Sequence, residues 1–287
     1  MKNTNVLLAG ATGYLGSFIL KELIERKNHV VAIVRNPDRI GNDHENYLEI
    51  KTAEVTKPET LRDICKGIDT VISTVGITRQ KDGLTYMDVD YRANMNLLDE
   101  AKKTGVKHFV YVSAINGDKH RNLKIFDAKE NFVDALKVSG LNYTIVRPNG
   151  FFSDMKDFLQ MAKSGRVYLF GSGNQKFNPI HGEDLARAIV DTLDEYNKEF
   201  TIGGPDVFSL NEISGLALQA LEKPIKIVHL PDWLRTLTIW SLRTFTSVKT
   251  YGPIEFFLTL MAEDAIAPPY GKHHLEDFYI EEAKNFK

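Results

Sequence analysis

Near its start the chain reads Asn5-Val6-Leu7-Leu8-Ala9-Gly10-Ala11-Thr12-Gly13-Tyr14-Leu15-Gly16, and no other stretch restricts the fold as strongly. The first five residues are an apolar run with the length of a buried strand, and the glycines follow at once. Phe18, Ile19, Leu23 and Ile24 then recur at helical spacing up to Arg26. Strand, glycine turn and helix in that order open a βαβ unit. Glycine suits such a turn because the turn is tight, the backbone must approach a pyrophosphate closely, and helix must pack on strand. The helix N-terminus adds free N–H groups and the positive end of its dipole. The spacing is GxxGxxG rather than GxGxxG, so the reading needs support from the rest of the first half.

That support comes from further apolar runs at 29–34, 69–75, 107–112 and 141–146. Helical stretches lie between them, such as 93–104 with Leu97, Leu98 and Ala101 on one face. The alternation predicts an α/β fold with a doubly wound parallel sheet. From about Phe151 the rhythm breaks, a turn-rich stretch spans 165–173, and Phe200-Thr201-Ile202 reads as a last strand. The expected organisation is a Rossmann domain over 1–155, to which 175–205 return. A smaller, mostly helical lobe over 156–174 and 206–287 then lies above the carboxyl ends of the sheet, where ligands bind in open parallel sheets.

Composition narrows the function. Of 287 residues, 43% are hydrophobic, enough for a packed core. The 36 Lys and Arg against 38 Asp and Glu give a net charge of −2, which argues against nucleic-acid binding by phosphate neutralisation. A single cysteine, Cys65, in a helical stretch with no activating base, reads as a buried small hydrophobe and fits a reducing, cytoplasmic setting. No signal peptide and no membrane-length apolar run is read. The stretch 233–261 mixes Trp, Leu, Ile and Phe with Arg235, Arg243 and Lys249. It reads either as helices covering a substrate pocket or dimer face, or as an amphipathic pair for peripheral membrane or partner contact.

The end of the second strand bears on cofactor choice. A carboxylate there accepts hydrogen bonds from a ribose 2′-OH and repels a 2′-phosphate. This chain instead has Ile33-Val34-Arg35-Asn36-Pro37, with Arg39 a turn later. A guanidinium fork matches phosphate, so NADP(H) is the expected cofactor.

The GATGYLG loop, Arg35, Ser113, Lys129 and Val146-Arg147-Pro148 resemble an atypical short-chain dehydrogenase/reductase of the NmrA-like and isoflavone-reductase-like branch. Asn178-Pro179-Ile180-His181-Gly182-Glu183-Asp184-Leu185-Ala186 and Gly203-Gly204-Pro205 resemble it too. The resemblance implies an NAD(P)-binding Rossmann fold. It also implies a group that mixes reductases with cofactor-binding regulators and assembly factors.

By that resemblance, cofactor contacts are expected from Gly10, Thr12, Gly13, Tyr14, Leu15, Gly16, Arg35, Glu54, Val55, Ser73, Thr74, Val75, Gly76, Ser113, Lys129, Pro148, Asn149, Gly150 and Phe151. Glu54 stands where many relatives carry Asp for the adenine amino group. Reductases of the group mostly use Tyr-x-x-x-Lys, the tyrosine as proton donor and the lysine on the ribose. Here Lys129 is present, but Ile125 occupies the tyrosine position. Lys129 shares a helical face with Phe132, Val133 and Leu136, which turns it inward. In the isoflavone-reductase-like branch a lysine alone serves proton transfer, helped by a pKa lowered through desolvation. Ser113 is expected to orient a substrate carbonyl, so Lys129 and Ser113 are the catalytic candidates. Tyr86, Tyr91 and Tyr111 are further donors among which spacing does not choose, Tyr111 lying within a strand. Phe151 and Phe152 either floor an apolar pocket or simply pack. The basic loop Asp118-Lys119-His120-Arg121 reads as solvated.

No metal site is expected, because adjacent side chains such as His273 and His274 do not converge on one ion. His181 reads as a structural histidine, and without a Gly-x-Ser-x-Gly elbow a hydrolase is set aside. Two readings remain. One is an NADP(H)-dependent oxidoreductase that moves hydride to a carbonyl or activated double bond of a small apolar substrate. The other is a non-catalytic NADP(H)-binding regulator or assembly factor acting on a protein partner.

Overall fold

A computed structural model describes residues 4–40, 46–78 and 83–285. The elements in order are β1 (Asn5–Ala9), α1 (Tyr14–Glu25), β2 (His29–Val34), β3 (Leu48–Thr52), β4 (Thr70–Ser73), α2 (Asn94–Thr104), β5 (His108–Val112), α3 (Lys124–Lys137) and β6 (Asn142–Pro148). There follow α4 (Phe152–Ala162), β7 (Val167–Phe170), β8 (Lys176–Phe177), α5 (Gly182–Asp191), β9 (Lys198–Ile202), β10 (Phe208–Ser209), α6 (Leu210–Ala220), β11 (Ile227–Leu230), α7 (Asp232–Phe245), α8 (Val248–Leu260) and α9 (Leu275–Lys284).

The main sheet has the order β3-β2-β1-β4-β5-β6-β9. From β3 to β6 every neighbouring pair is parallel, with Val6 opposite both Val30 and Thr70, and His108 opposite Thr70 and Asn142. Parallel strands covered on both faces read as unbroken apolar runs. Accordingly, Val6, Leu7, Leu8, Val71, Ile72, Phe109 and Val110 are all buried. On one face Leu7, Val71, Phe109 and Ile145 pack with Leu97 of α2 and with Phe132, Val133 and Leu136 of α3. The inward face read for α3 is therefore the observed one.

Two details differ from the sequence reading. β3, Leu-Glu-Ile-Lys-Thr, went unread because it is a half-buried edge strand carrying Glu49 and Lys51, without an apolar run. Cys65 lies in turns after a short 3-10 helix, Pro58–Leu61, not in a helix. It is nonetheless fully buried, and burial, with Glu100 nearby, pushes its thiol up to about 12. A π-helical stretch, Met87–Ala93, leads into α2. Such stretches are rare and concentrate at functional sites.

The chain forms two compact units. One comprises Met1–Arg147 and Leu185–Phe200, the other Pro148–Asp184 and Thr201–Lys287. In the second, α4, α6 and α9 pack together, and the Tyr279 hydroxyl donates to the Met155 carbonyl at 2.8 Å. α7 and α8 form a helical pair joined by the ion pair Arg243–Glu255. Trp233, Trp240 and Phe245 of α7 stand exposed. Among the described residues no helix is long and apolar enough to cross a membrane.

Candidate functional site: a dinucleotide cradle and a buried lysine

The glycine turn joins β1 to α1. Gly10 adopts φ +90°, a left-handed conformation, and a Cβ there would lie 2.3 Å from Thr74 Oγ1. A Cβ at Gly16 would lie 2.0 Å from the Gly10 carbonyl oxygen. The loop thus closes on itself and on the end of β4 only because these side chains are missing. Gly13 caps α1 with no side-chain hydrogen bond, and the first turn carries no acid. An uncapped helix start without negative charge is suited to hold phosphate. Thr12 and Tyr14 are partly exposed around it, while the Leu15 side chain packs into the core.

Arg35 follows the last residue of β2 and is exposed. Glu54, in the turn after β3, is engaged by Lys57 Nζ at 2.6 Å and accepts from Thr56 Oγ1 at 3.1 Å. Its Lys57 hydrogen bond holds the carboxyl below its usual range. The neighbouring Val55 carbonyl accepts from Asn96 Nδ2 at 2.9 Å.

Residues 73–76 are held by a side chain that the sequence reading missed. Ser73 Oγ donates to Asn94 Oδ1 at 2.6 Å, and Asn94 Nδ2 donates to the carbonyls of Val75, Val89 and Asp90 at 3.2, 3.3 and 2.9 Å. Thr74 Oγ1 donates to the Ala9 carbonyl at 3.2 Å. The loop after β4 is therefore pinned to β1 on one side and to the π-helical stretch on the other.

Lys129 of α3 meets this loop. A Cβ at Gly76 would lie 2.8 Å from Lys129 Nζ and 2.6 Å from Asp90 Oδ1. The ammonium pairs with Asp90 Oδ1 at 2.8 Å; the lysine side chain is 13% exposed and the aspartate fully buried. Tyr111 of β5 faces the same ammonium, with its ring centroid 5.8 Å from Nζ. Burial alone would lower the lysine pKa, but Asp90 and Tyr111 outweigh it and the net shift is upward. The lowered pKa expected from desolvation is not found, because a carboxylate 39 positions earlier (129 against 90) compensates the charge. Ile125 is buried, so the usual tyrosine position presents core to the helix's neighbours. Of the other tyrosines, Tyr86 donates to the Thr78 carbonyl at 2.8 Å and Tyr91 is half-buried.

Ser113 follows β5. Its Oγ donates to Glu130 Oε1 at 2.9 Å, and Arg147 Nη1 reaches the same hydroxyl at 3.4 Å. Glu130 and Arg147 form a buried bidentate ion pair, and Arg147 Nε also donates to Glu199 Oε1 at 2.6 Å. Sequence reading missed Glu130, Asn94 and Asp90. Each stands among other polar and charged residues of its helical segment, so nothing in the local pattern singles it out.

Pro148 ends β6, and with Asn149, Gly150 and Phe151 it belongs to the second unit. There Asn149 Nδ2 donates to Asn178 Oδ1 at 2.8 Å and to the Ala265 carbonyl at 2.6 Å. The Gly150 N–H donates to Asn149 Oδ1 at 2.8 Å, and Phe151 caps α4.

In the same unit His273 stacks on His181 with ring centroids 4.2 Å apart. His181, Glu183 and His273 bring ligand-type atoms within 4.8 Å of one another. Asp184 Oδ2 accepts the N–H groups of Lys272 and His273, both at 3.0 Å. A Cβ at Gly271 would meet that oxygen at 2.2 Å, so the group anchors the 271–273 turn. His274 instead pairs with Asp206 at 2.6 Å.

A family model described as NAD(P)H-binding matches residues 10–196. The chain is 31% identical to the chloroplastic divinyl chlorophyllide a 8-vinyl-reductase of Arabidopsis thaliana, covering 97% of this chain and 76% of that protein. It is 25% identical to the photosystem II assembly factor Ycf39 of Trieres chinensis, over 81% of this chain and 74% of that one. Its fold matches Citrobacter sp. triphenylmethane reductase, solved with NADP(H), with a TM-score of 0.74 and 17% identity over 97% of this chain and 99% of that one. The matched segment holds the glycine turn, the pinned loop after β4 and Lys129, and the chain belongs to the NAD(P)H-binding family of Rossmann-fold proteins.

Proposed function

We propose that this chain is an NADPH-dependent reductase of the atypical short-chain class, and that it reduces an activated carbon–carbon double bond on a largely apolar conjugated molecule. The continuity of the site in the first unit carries this reading: Gly10 abuts Thr74, and Gly76 abuts Lys129, so cradle and lysine share one loop. The vinyl reductase named among the relatives supports the choice of bond, since its match spans nearly the whole chain. A vinyl group on a chlorophyllide is accordingly the first substrate to offer. When bound, the dinucleotide supplies hydride to one carbon of the double bond, and a proton completes the other.

The remaining roles belong to the chain. Gly10, Gly13 and Gly16 let the backbone close on the pyrophosphate. Arg35 holds the 2′-phosphate that separates NADPH from NADH. Lys129 anchors the ribose hydroxyls and acts on the reaction by its charge. Ser113 serves as a positioning residue, because its hydroxyl is donated to the residue beside Lys129.

The test is NADPH oxidation with a divinyl chlorophyllide. Turnover is expected, with Lys129→Ala lowering it by about 100-fold or more and weakening NADPH binding no more than roughly tenfold. Unchanged turnover in that variant overturns the mechanism. A second reading, a cofactor-binding assembly factor, draws on buried Ile125 and on the Ycf39 match. NADPH binding without turnover, together with capture of a defined partner, decides for it.

A further inference from the structure

Asp90 has no part in the roles above, yet its surroundings are built around one interaction. Oδ1 meets Lys129 Nζ at 2.8 Å and has no other partner among the described residues. Oδ2 accepts the Ile77 N–H at 3.2 Å, and the Asp90 carbonyl accepts from Asn94 at 2.9 Å. Both carboxylate oxygens are thereby oriented, one by the loop after β4 and one by the lysine. The missing side chain at Gly76 leaves the space that the carboxylate and ammonium enter.

We propose that Asp90 is the positioning residue of this site: it holds the Lys129 ammonium against Gly76 as a fixed cation that binds ribose hydroxyls and does not hand over the substrate's proton. The proposal rests on the cofactor reading above. Burying an ammonium without a partner is costly, and the group normally sheds its proton instead. Asp90, from the π-helical stretch, removes that option. Among the described residues, the groups facing Lys129 are Asp90 and the Tyr111 phenol on β5. Glu130, next on α3, is turned to Arg147. Burial raises the Tyr111 pKa, so the phenol stays neutral and, among the described residues, Asp90 is the compensating charge. Burial also pushes the Asp90 carboxyl above its usual range, and the ammonium at 2.8 Å and the Ile77 N–H oppose that shift. The substrate's proton then comes from another donor or from water.

Two measurements test this. Carbon-13 NMR of the lysine Cε signals, assigned with Lys129→Met, follows the ammonium in the unaltered protein. The Lys129 signal is expected not to titrate up to about pH 10, whereas a midpoint below about 9 overturns the proposal. Fluorescence titration with NADPH from pH 7 to 10 is the second measurement. Affinity is expected to stay flat in the unaltered protein and to fall roughly tenfold with rising pH in Asp90→Asn, where burial acts on the lysine with the Tyr111 phenol but no carboxylate against it. In Asp90→Asn/Lys129→Met it should be weak at every pH. A flat, full-strength profile in Asp90→Asn overturns the positioning role. If Asp90→Asn does not fold, the NMR titration decides alone. If the unaltered chain binds no NADPH at any pH, the cofactor reading fails, and the titration still decides the charge state separately.

Discussion

Arg147, next to last in β6, grips Glu130 of α3 with two parallel hydrogen bonds, Nη1 to Oε1 at 2.6 Å and Nη2 to Oε2 at 2.7 Å. Neither side chain is more than 6% exposed. Bidentate guanidinium–carboxylate geometry is the arrangement best able to offset the desolvation of two charges. The pair also fixes α3 against the sheet one residue from Lys129.

Removing Arg147 leaves the Glu130 carboxylate buried without an opposite charge, whereas removing Glu130 leaves Arg147 still paired with Glu199. Arg147→Met is expected to cost about 3–5 kcal/mol in urea unfolding, and Glu130→Met less. Replacing both residues with Met should cost clearly less than the sum of the single changes, since no lone charge remains. An additive double variant would show that the two act independently.

Arg35 stands exposed past β2 with no acid at the strand end. Arg35→Ala should weaken NADPH binding by roughly 10–100-fold, the loss of a charge-assisted contact, and leave NADH binding unchanged. Parallel fluorescence titrations check this, and equal losses for both cofactors would remove Arg35 from the 2′-phosphate.

At Gly16 an added methyl meets backbone rather than a movable side chain, 2.0 Å from the Gly10 oxygen. Overpacking of that kind costs about 1–3 kcal/mol. Gly16→Ala should therefore lower NADPH affinity about 5–100-fold, with a lower melting temperature by calorimetry. Gly215→Ala, inside α6 where a Cβ meets nothing within 4 Å, serves as the control: NADPH affinity should not change and the melting temperature should not fall.

His108 couples stability to pH. Its Nε2 lies 2.9 Å from Thr144 Oγ1, whose proton is given to the Glu195 carbonyl, so Nε2 carries the histidine's hydrogen. Burial lowers the imidazole pKa from 6.5 to about 4. Because the folded value is depressed, the unfolded chain takes up a proton first as pH falls. The contribution is complete above about pH 6.5 and disappears as pH drops toward about 4, for a total on the order of 3 kcal/mol. Unfolding free energies measured at pH 7 and 4.5 should fall further apart in the unaltered chain than in His108→Gln, and an identical pH slope in both would exclude His108 as the source.

Much of this site can be read from local pattern. The glycine turn, Arg35 and the inward face of α3 follow from spacing over a few residues, because turn geometry and helical period are local properties. β3 escaped because an edge strand buried on half its surface has no apolar run to mark it. Cys65 was placed in a helix because its neighbours have helical composition, while the chain there makes successive turns. Ser113 was read toward a substrate, and the structure turns its hydroxyl to Glu130, whose burial depends on Arg147 arriving from β6.

By itself the sequence determined the parallel sheet, the glycine turn and the absence of a tyrosine four residues before Lys129, since each is written in contiguous residues. Tertiary structure alone decided what surrounds that lysine. Asp90, Tyr111 and Gly76 come from a π-helical stretch, a strand and a loop, and only the parallel stacking of β4 and β5 beneath α3 brings them to one ammonium. The charge of a buried group is set by the nearest opposite charge across space, and no spacing along the chain encodes that distance.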